Sequence, residues 1–174
     1  MVKLIAEGKQ YVDQIAVERA NYERLINRIK TSHMTIRGAV GRWSVKEAIA
    51  HIHLCELYLA ERIIHIFSNH DLDRYLSDGQ FVRLFFGYDH PEFGTPFGSD
   101  YISVNIKIQK YSSIPLEDVV GLENMAYLSL ISHLQMNEEQ LMTRRRFYKQ
   151  ILVKILDLYD YHTTTIESWL AVLQ

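Results

Sequence analysis

The sequence predicts an all-α protein, and three observations carry that prediction. Apolar residues recur every three or four positions over long stretches, helix start signals stand ahead of them, and the three prolines are confined to positions 91–115. At 174 residues the chain reads as one domain, 1–174, long enough to bury a core without disulfides or metals to hold it.

The first helix is expected from about Lys3 to Ile29, where Leu4, Tyr11, Ile15, Tyr22, Leu25, Ile26 and Ile29 recur at helical spacing. Gly38 and Gly41 then break the pattern, so Thr31–Arg42 reads as a connection of a length that suits antiparallel neighbours. The clearest helix follows, from Trp43 to Phe67. Ser44 and Glu47 have the spacing of a capping box, in which each side chain satisfies the other residue's backbone amide. Val45, Ala48, Ile49, Ile52, Cys55, Leu59, Ile63 and Ile66 fall on one stripe.

Periodicity is lost after Ser68. A short helical piece is expected at Gly79–Phe86, and then a long irregular loop rich in glycine, proline and aromatics from Gly87 to Gly98. Loops of that length in a compact domain serve as lids over a site or as flaps over the core. Tyr101–Lys110 is ambiguous. Ile102, Val104, Ile106 and Ile108 alternate with polar residues as in a strand, yet nothing else alternates convincingly and a lone strand leaves its backbone groups unpaired. Pro115, followed by Glu117 and Asp118, opens a helix running to about Leu134 that is apolar over much of its circumference and reads as the most buried. Asn137 with Gln140 resembles a cap before a short turn, and the last helix is expected from near Thr143. Its stripe runs through Phe147, Ile151, Leu152, Ile155, Leu158, Tyr159, Ile166, Trp169, Leu170 and Leu173.

Charge and cysteine content narrow the function classes. A net charge of -2 gives no electrostatic case for nucleic acid, and Arg144, Arg145 and Arg146 read as a solvated helix start. No apolar run approaches a membrane span and the N-terminus lacks the pattern of a signal peptide, so no membrane partner is expected. Cys55 is the single cysteine, which excludes an internal disulfide and fits a cytoplasmic protein. No glycine-rich phosphate loop is present, and the Ser and Cys residues lack the spaced partners of a nucleophilic triad.

The polar residues that interrupt apolar stripes are the candidates for chemistry. Glu56 projects into the middle of the second helix's stripe and His51 lies on its edge, while His162 projects near the centre of the last helix's stripe. A histidine there is costly unless its ring nitrogens find partners. Two readings stand side by side. His162 is a neutral core histidine bonded to a carbonyl, a tyrosine hydroxyl or Glu56, or it is a metal ligand or acid–base group. His53, His65 and His70 read as surface, and His133 as a fallback ligand.

Trp43, Ser44, Val45, Lys46 and Glu47, with His51 eight residues after the tryptophan, resemble the signature of the DinB/YfiT-like superfamily of helical bundles. The string from Leu158 through Tyr159, His162 and Ile166 to Trp169 and Leu170 resembles the ending of its ClbS/DfsB family, formerly a domain of unknown function. Asn105, Pro115–Val119 and Asn137–Leu141 agree in order and spacing, so the likeness spans nearly the whole chain. The resemblance implies a four-helix bundle with the long loop between its second and third core helices, and a helical Tyr101–Lys110. Metal-binding members use one histidine on the second helix and a His-x-x-x-His pair on the last. Carried onto this chain, His51 and His162 match two of the three positions, and Leu158 stands at the third. A catalytic divalent site normally keeps three protein ligands. The expectation is therefore a weak metal site or none, with Glu56 a substitute ligand in principle.

Three functions compete. The first is a small-molecule-acting hydrolase or detoxification enzyme. One branch resembling this chain hydrolyses a strained cyclopropane ring of a genotoxic metabolite; the superfamily also includes thiol transferases, and the resemblance leaves a degenerate metal-dependent transferase of that kind as an alternative. Here Glu56 would be base or water activator, raised toward neutrality by burial, and His162 its acid–base or orienting partner, under the 87–98 loop. The second is a bundle that binds or sequesters an apolar small molecule without turnover. The third is a homodimer scaffold whose polar core groups fix helix register.

Overall fold

The computed structural model describes residues 2–68, 101–136 and 145–173 of the chain. Within them run α1 (Val2–Arg28), α2 (Val45–Ser68), the short α3 (Tyr101–Gln109), α4 (Leu116–Met136) and α5 (Arg145–Leu173), with no strand among the described residues. The four long helices pack together, α2 along α4 and α1 along α5, and α2 also meets α3 and α5. The expected helical piece at 79–86, the 87–98 loop, the cap at 137–140 and His70 lie outside the described residues.

The connection after α1 is short and tightly bonded. One 3₁₀ turn spans Thr31–His33, and a tight turn pairs Val40 with Trp43 through amide–carbonyl bonds of 3.0 and 3.2 Å. Gly38 (φ 101°) and Gly41 (φ 61°) take the left-handed conformations this turn requires. α2 then starts on the anticipated capping box. The Ser44 amide donates to Glu47 Oε2 at 2.7 Å and the Glu47 amide donates to Ser44 Oγ at 3.3 Å, a cap worth about 1 kcal/mol. The Lys46 amide donates to the Met34 carbonyl, which fixes the connection against the start of α2.

The ambiguous segment Tyr101–Lys110 is helical over Tyr101–Gln109 (α3), as the resemblance implies and against its alternation. Ile106 and Ile108 would share one face of a strand, yet Ile106 is 56% exposed and Ile108 fully buried. The Trp43 indole N–H donates to Asn105 Oδ1 at 3.3 Å and holds α3 against the entrance to α2.

α4 is not the most buried helix, as its composition suggests. Leu122, Met125 and Leu128 are exposed, Met125 by 70%, because the helix turns Val119, Glu123, Ala126, Leu130 and Leu134 inward. A charged side chain sits on that inward stripe because its partner, Arg19, is buried opposite it on α1.

Candidate functional site

Two groups of polar side chains occupy the interior, and α2 contributes to both. The first lies between α2 and α5. His51 and His162 are buried, and His51 Nδ1 stands 2.9 Å from His162 Nε2. One ring must donate to the other. If His51 donates, its Nε2 is the acceptor facing the Cys55 thiol, whose sulfur lies 3.6 Å away. Trp43 leans over His51 with ring centroids 4.9 Å apart. His162 Nδ1 finds no hydrogen-bond partner among the described residues. Burial, and then the neighbouring His51, hold the His162 pKa well below the ordinary 6.5, so the ring is neutral.

The second group lies where α1, α2, α4 and α5 meet. Arg19 donates through both terminal nitrogens to Glu123, with Nη2 to Oε2 at 2.8 Å, and Nη2 also donates to Asn124 Oδ1 at 2.6 Å. Its Nε donates to Glu23 at 2.8 Å. The guanidinium sits 4.6 Å from the Tyr127 ring centroid, with Tyr22 and Tyr159 at 5.3 and 5.8 Å. Glu56 is fully buried beside it. The Tyr159 hydroxyl donates to Glu56 Oε1, and Arg19 Nη1 is 3.6 Å from the same oxygen. Glu56 Oε2 finds no partner among the described residues. Desolvation, then the Glu123 charge, push the Glu56 carboxyl well above the ordinary carboxylate range, and Arg19 and Tyr159 only partly offset this.

The sequence places Glu56 and His162 within apolar stripes and His51 at the edge of one, and the structure buries all three. It also supplies partners that sequence reasoning missed. His162 meets His51 rather than a carbonyl, a tyrosine or Glu56. Cys55 does have a nearby imidazole, four residues back on its own helix. Arg19 lies on the stripe of Ile15, Tyr22 and Ile26, and Glu123 on that of Val119, Ala126 and Leu130, so helical spacing alone could have found both. His53 is a correction. It is buried, not on the surface, with Nδ1 3.1 Å from the Leu122 carbonyl and its ring edge-on to Tyr111, because α4 covers that flank of α2.

These residues do not make a three-ligand metal cage. Two imidazole nitrogens converge, Leu158 offers only carbon, and Cys55 faces the opposite nitrogen of His51. Glu56 is engaged by Tyr159 and Arg19 instead. No group of three His, Cys, Asp or Glu side chains suited to a metal, with His133 or otherwise, occurs among the described residues.

A pocket of about 230 Å³ reaches the Arg19–Glu123 pair from between α1 and α4, lined also by Tyr22, Asn27 and Asn124. Two larger surface hollows, each about 620 Å³, border α1 and α5 at Arg28 and Glu167, and neither is lined by Glu56 or His162. Volume alone would point away from the buried chemistry.

The opposed shifts of Glu56 and His162 predict a characteristic pH dependence. Below about 6.5 the unfolded chain takes up a proton that neutral His162 refuses, so stability falls on acidification through that value. Above about 4.5 the folded chain keeps a proton on Glu56 that the unfolded chain has lost, so this group costs stability as pH rises toward its elevated pKa. Denaturant titrations of the wild type and of Glu56→Gln across this range check the second sign. The wild type should lose ground to the variant as pH rises, and a constant difference would contradict the elevated pKa.

No helix among the described residues is long and apolar enough to cross a membrane. Comparison with protein-family models, with curated proteins and with solved structures finds no match.

Proposed function

We propose that this chain is a ClbS/DfsB-like bundle of the DinB/YfiT-like type, and that it acts on a small molecule as a hydrolase of the detoxification or resistance class. The observation that carries the reading is that two fully buried side chains in neighbouring polar groups are incompletely bonded, Glu56 on α2 beside Arg19 and Tyr159, and His162 on α5 beside His51. A native interior rarely leaves such atoms without partners unless they serve something else. Their environments drive the two apart, one carboxyl toward its protonated form and one imidazole toward its neutral form. That is the division of labour between an acid and a base near neutrality.

A thermal-shift screen of the purified protein against a metabolite panel, with mass spectrometry of each stabilising compound after incubation, tests this. A hit converted to a product one water heavier supports hydrolysis. A hit recovered unchanged supports the sequestering bundle instead. A product carrying an added thiol, formed only when a divalent metal and a thiol co-substrate are both supplied, would return the metal-dependent transferase reading of the superfamily.

A further inference from the structure

Arg19, Glu56 and Glu123 come from three different helices, and none is more than 3% exposed. One buried cation thus faces two buried carboxyl groups. The guanidinium is always charged, and it has already chosen. It grips Glu123 with both terminal nitrogens, while Glu56 Oε1 lies 3.6 Å from Nη1, beyond hydrogen-bonding distance. A second carboxylate charge would stand there without a counter-ion of its own, which interiors avoid by keeping the proton.

The hydrogen bonds of Glu56 point the same way. A buried carboxylate gathers donors on both oxygens. Glu56 has one donor, Tyr159, on Oε1 and nothing described on Oε2. That is the pattern of a carboxylic acid whose Oε1 is the carbonyl and whose Oε2 carries hydrogen. The other titratable groups around it are Glu123 on α4, whose carboxyl burial also raises but which the hydrogen bonds and charge of Arg19 pull back down, and the tyrosines: Tyr22 on α1, Tyr127 on α4 and Tyr159 on α5. Burial raises all three tyrosines above the ordinary phenol value, so they remain neutral donors.

We propose that Glu56 rests as the neutral carboxylic acid, that the Arg19–Glu123 pair and Tyr159 are the positioning groups that keep it so, and that Oε2–H is offered to a carbonyl or ether oxygen of the ligand. The site then opens its reaction as an acid, not as the base that the sequence suggests. In that step the Oε2–H bond breaks and a bond from that hydrogen to the ligand oxygen forms. The carboxylate left behind keeps the Tyr159 hydrogen bond and lies beside the guanidinium; the water oxygen bonds to the ligand carbon, the carbon–oxygen bond to the leaving group breaks, and the proton the water sheds returns to Glu56.

This inference rests on Glu56 being a site group, but the protonation state is measured without any substrate, so the two can fail separately. Infrared difference spectra of the full chain, carrying carboxyl-labelled glutamate, are recorded near neutral pH for the wild type and Glu56→Gln. The carbonyl stretch of a protonated buried carboxyl is expected in the wild type and lost in the variant. Its absence from the wild type, or its titration in the ordinary carboxylate range, overturns the proposal. Glu123→Gln frees the guanidinium for Glu56, and the band is expected to disappear at neutral pH. A band that survives unchanged removes the Arg19–Glu123 pair from the positioning role. Should that variant fail to fold, the titration of the wild-type band decides the protonation state by itself.

Discussion

Replacing Glu56 with its amide, Glu56→Gln, is expected to leave the bundle folded and to reduce turnover of any substrate found by screening on the order of 10²–10⁴-fold, the range lost with a general acid or base. The amide has the size of the acid, and its carbonyl can still accept from the Tyr159 hydroxyl that now meets Glu56 Oε1. It cannot surrender a proton. Because the exchange also removes a group whose ionisation the interior resists, thermal stability should be retained or rise slightly. Steady-state kinetics beside a melting curve separate the two effects. Full activity in a folded variant would take Glu56 out of the mechanism.

Arg19→Met is expected to produce the largest loss of stability, about 3–5 kcal/mol, as when one partner of a buried ion pair is removed. The cost comes from what stays behind. Glu123 is 2% exposed and takes both its strong hydrogen bonds from Arg19, so its charge would be left alone, and the Tyr127 ring would lose the cation lying 4.6 Å from its centroid. The double variant Arg19→Met/Glu123→Leu should recover most of the loss, since well-packed apolar replacements of buried pairs are often neutral or stabilising. Urea titrations of the wild type and both variants give the comparison. A single variant within about 0.5 kcal/mol of the wild type would show that the pair carries no such burden.

The helices were largely legible because their determinants are local. Ser44 and Glu47 form the capping box their spacing announces, and Pro115 stands just ahead of α4. Ambiguity and error arise where tertiary partners decide. Ile102 to Ile108 alternates, but no second strand exists among the described residues to take up the backbone groups, and the segment is helical. Met125 and Leu128 look like core residues by type. They lie outside because the turn carrying Glu123 must face Arg19.

The candidate site divides along the same line. Glu56, His51 and His162 announced themselves by breaking apolar stripes. Arg19 and Glu123 break stripes equally, but charges on long helices are usually solvated, so spacing without the facing partner does not mark them as buried. His53 was misplaced because its burial depends on the Leu122 carbonyl and Tyr111, which are remote in sequence. That His162 would find His51 required knowing how α5 crosses α2.

The lone thiol gives this crossing an intrinsic gauge. Cys55 is fully buried next to His51, so an alkylating reagent reaches its sulfur only when the packing around α2 parts. With a single cysteine in the chain, every labelling event reports that one place. Dividing the observed labelling rate by that of an unstructured thiol yields the fraction of time the interior stands ajar, before any ligand has been identified.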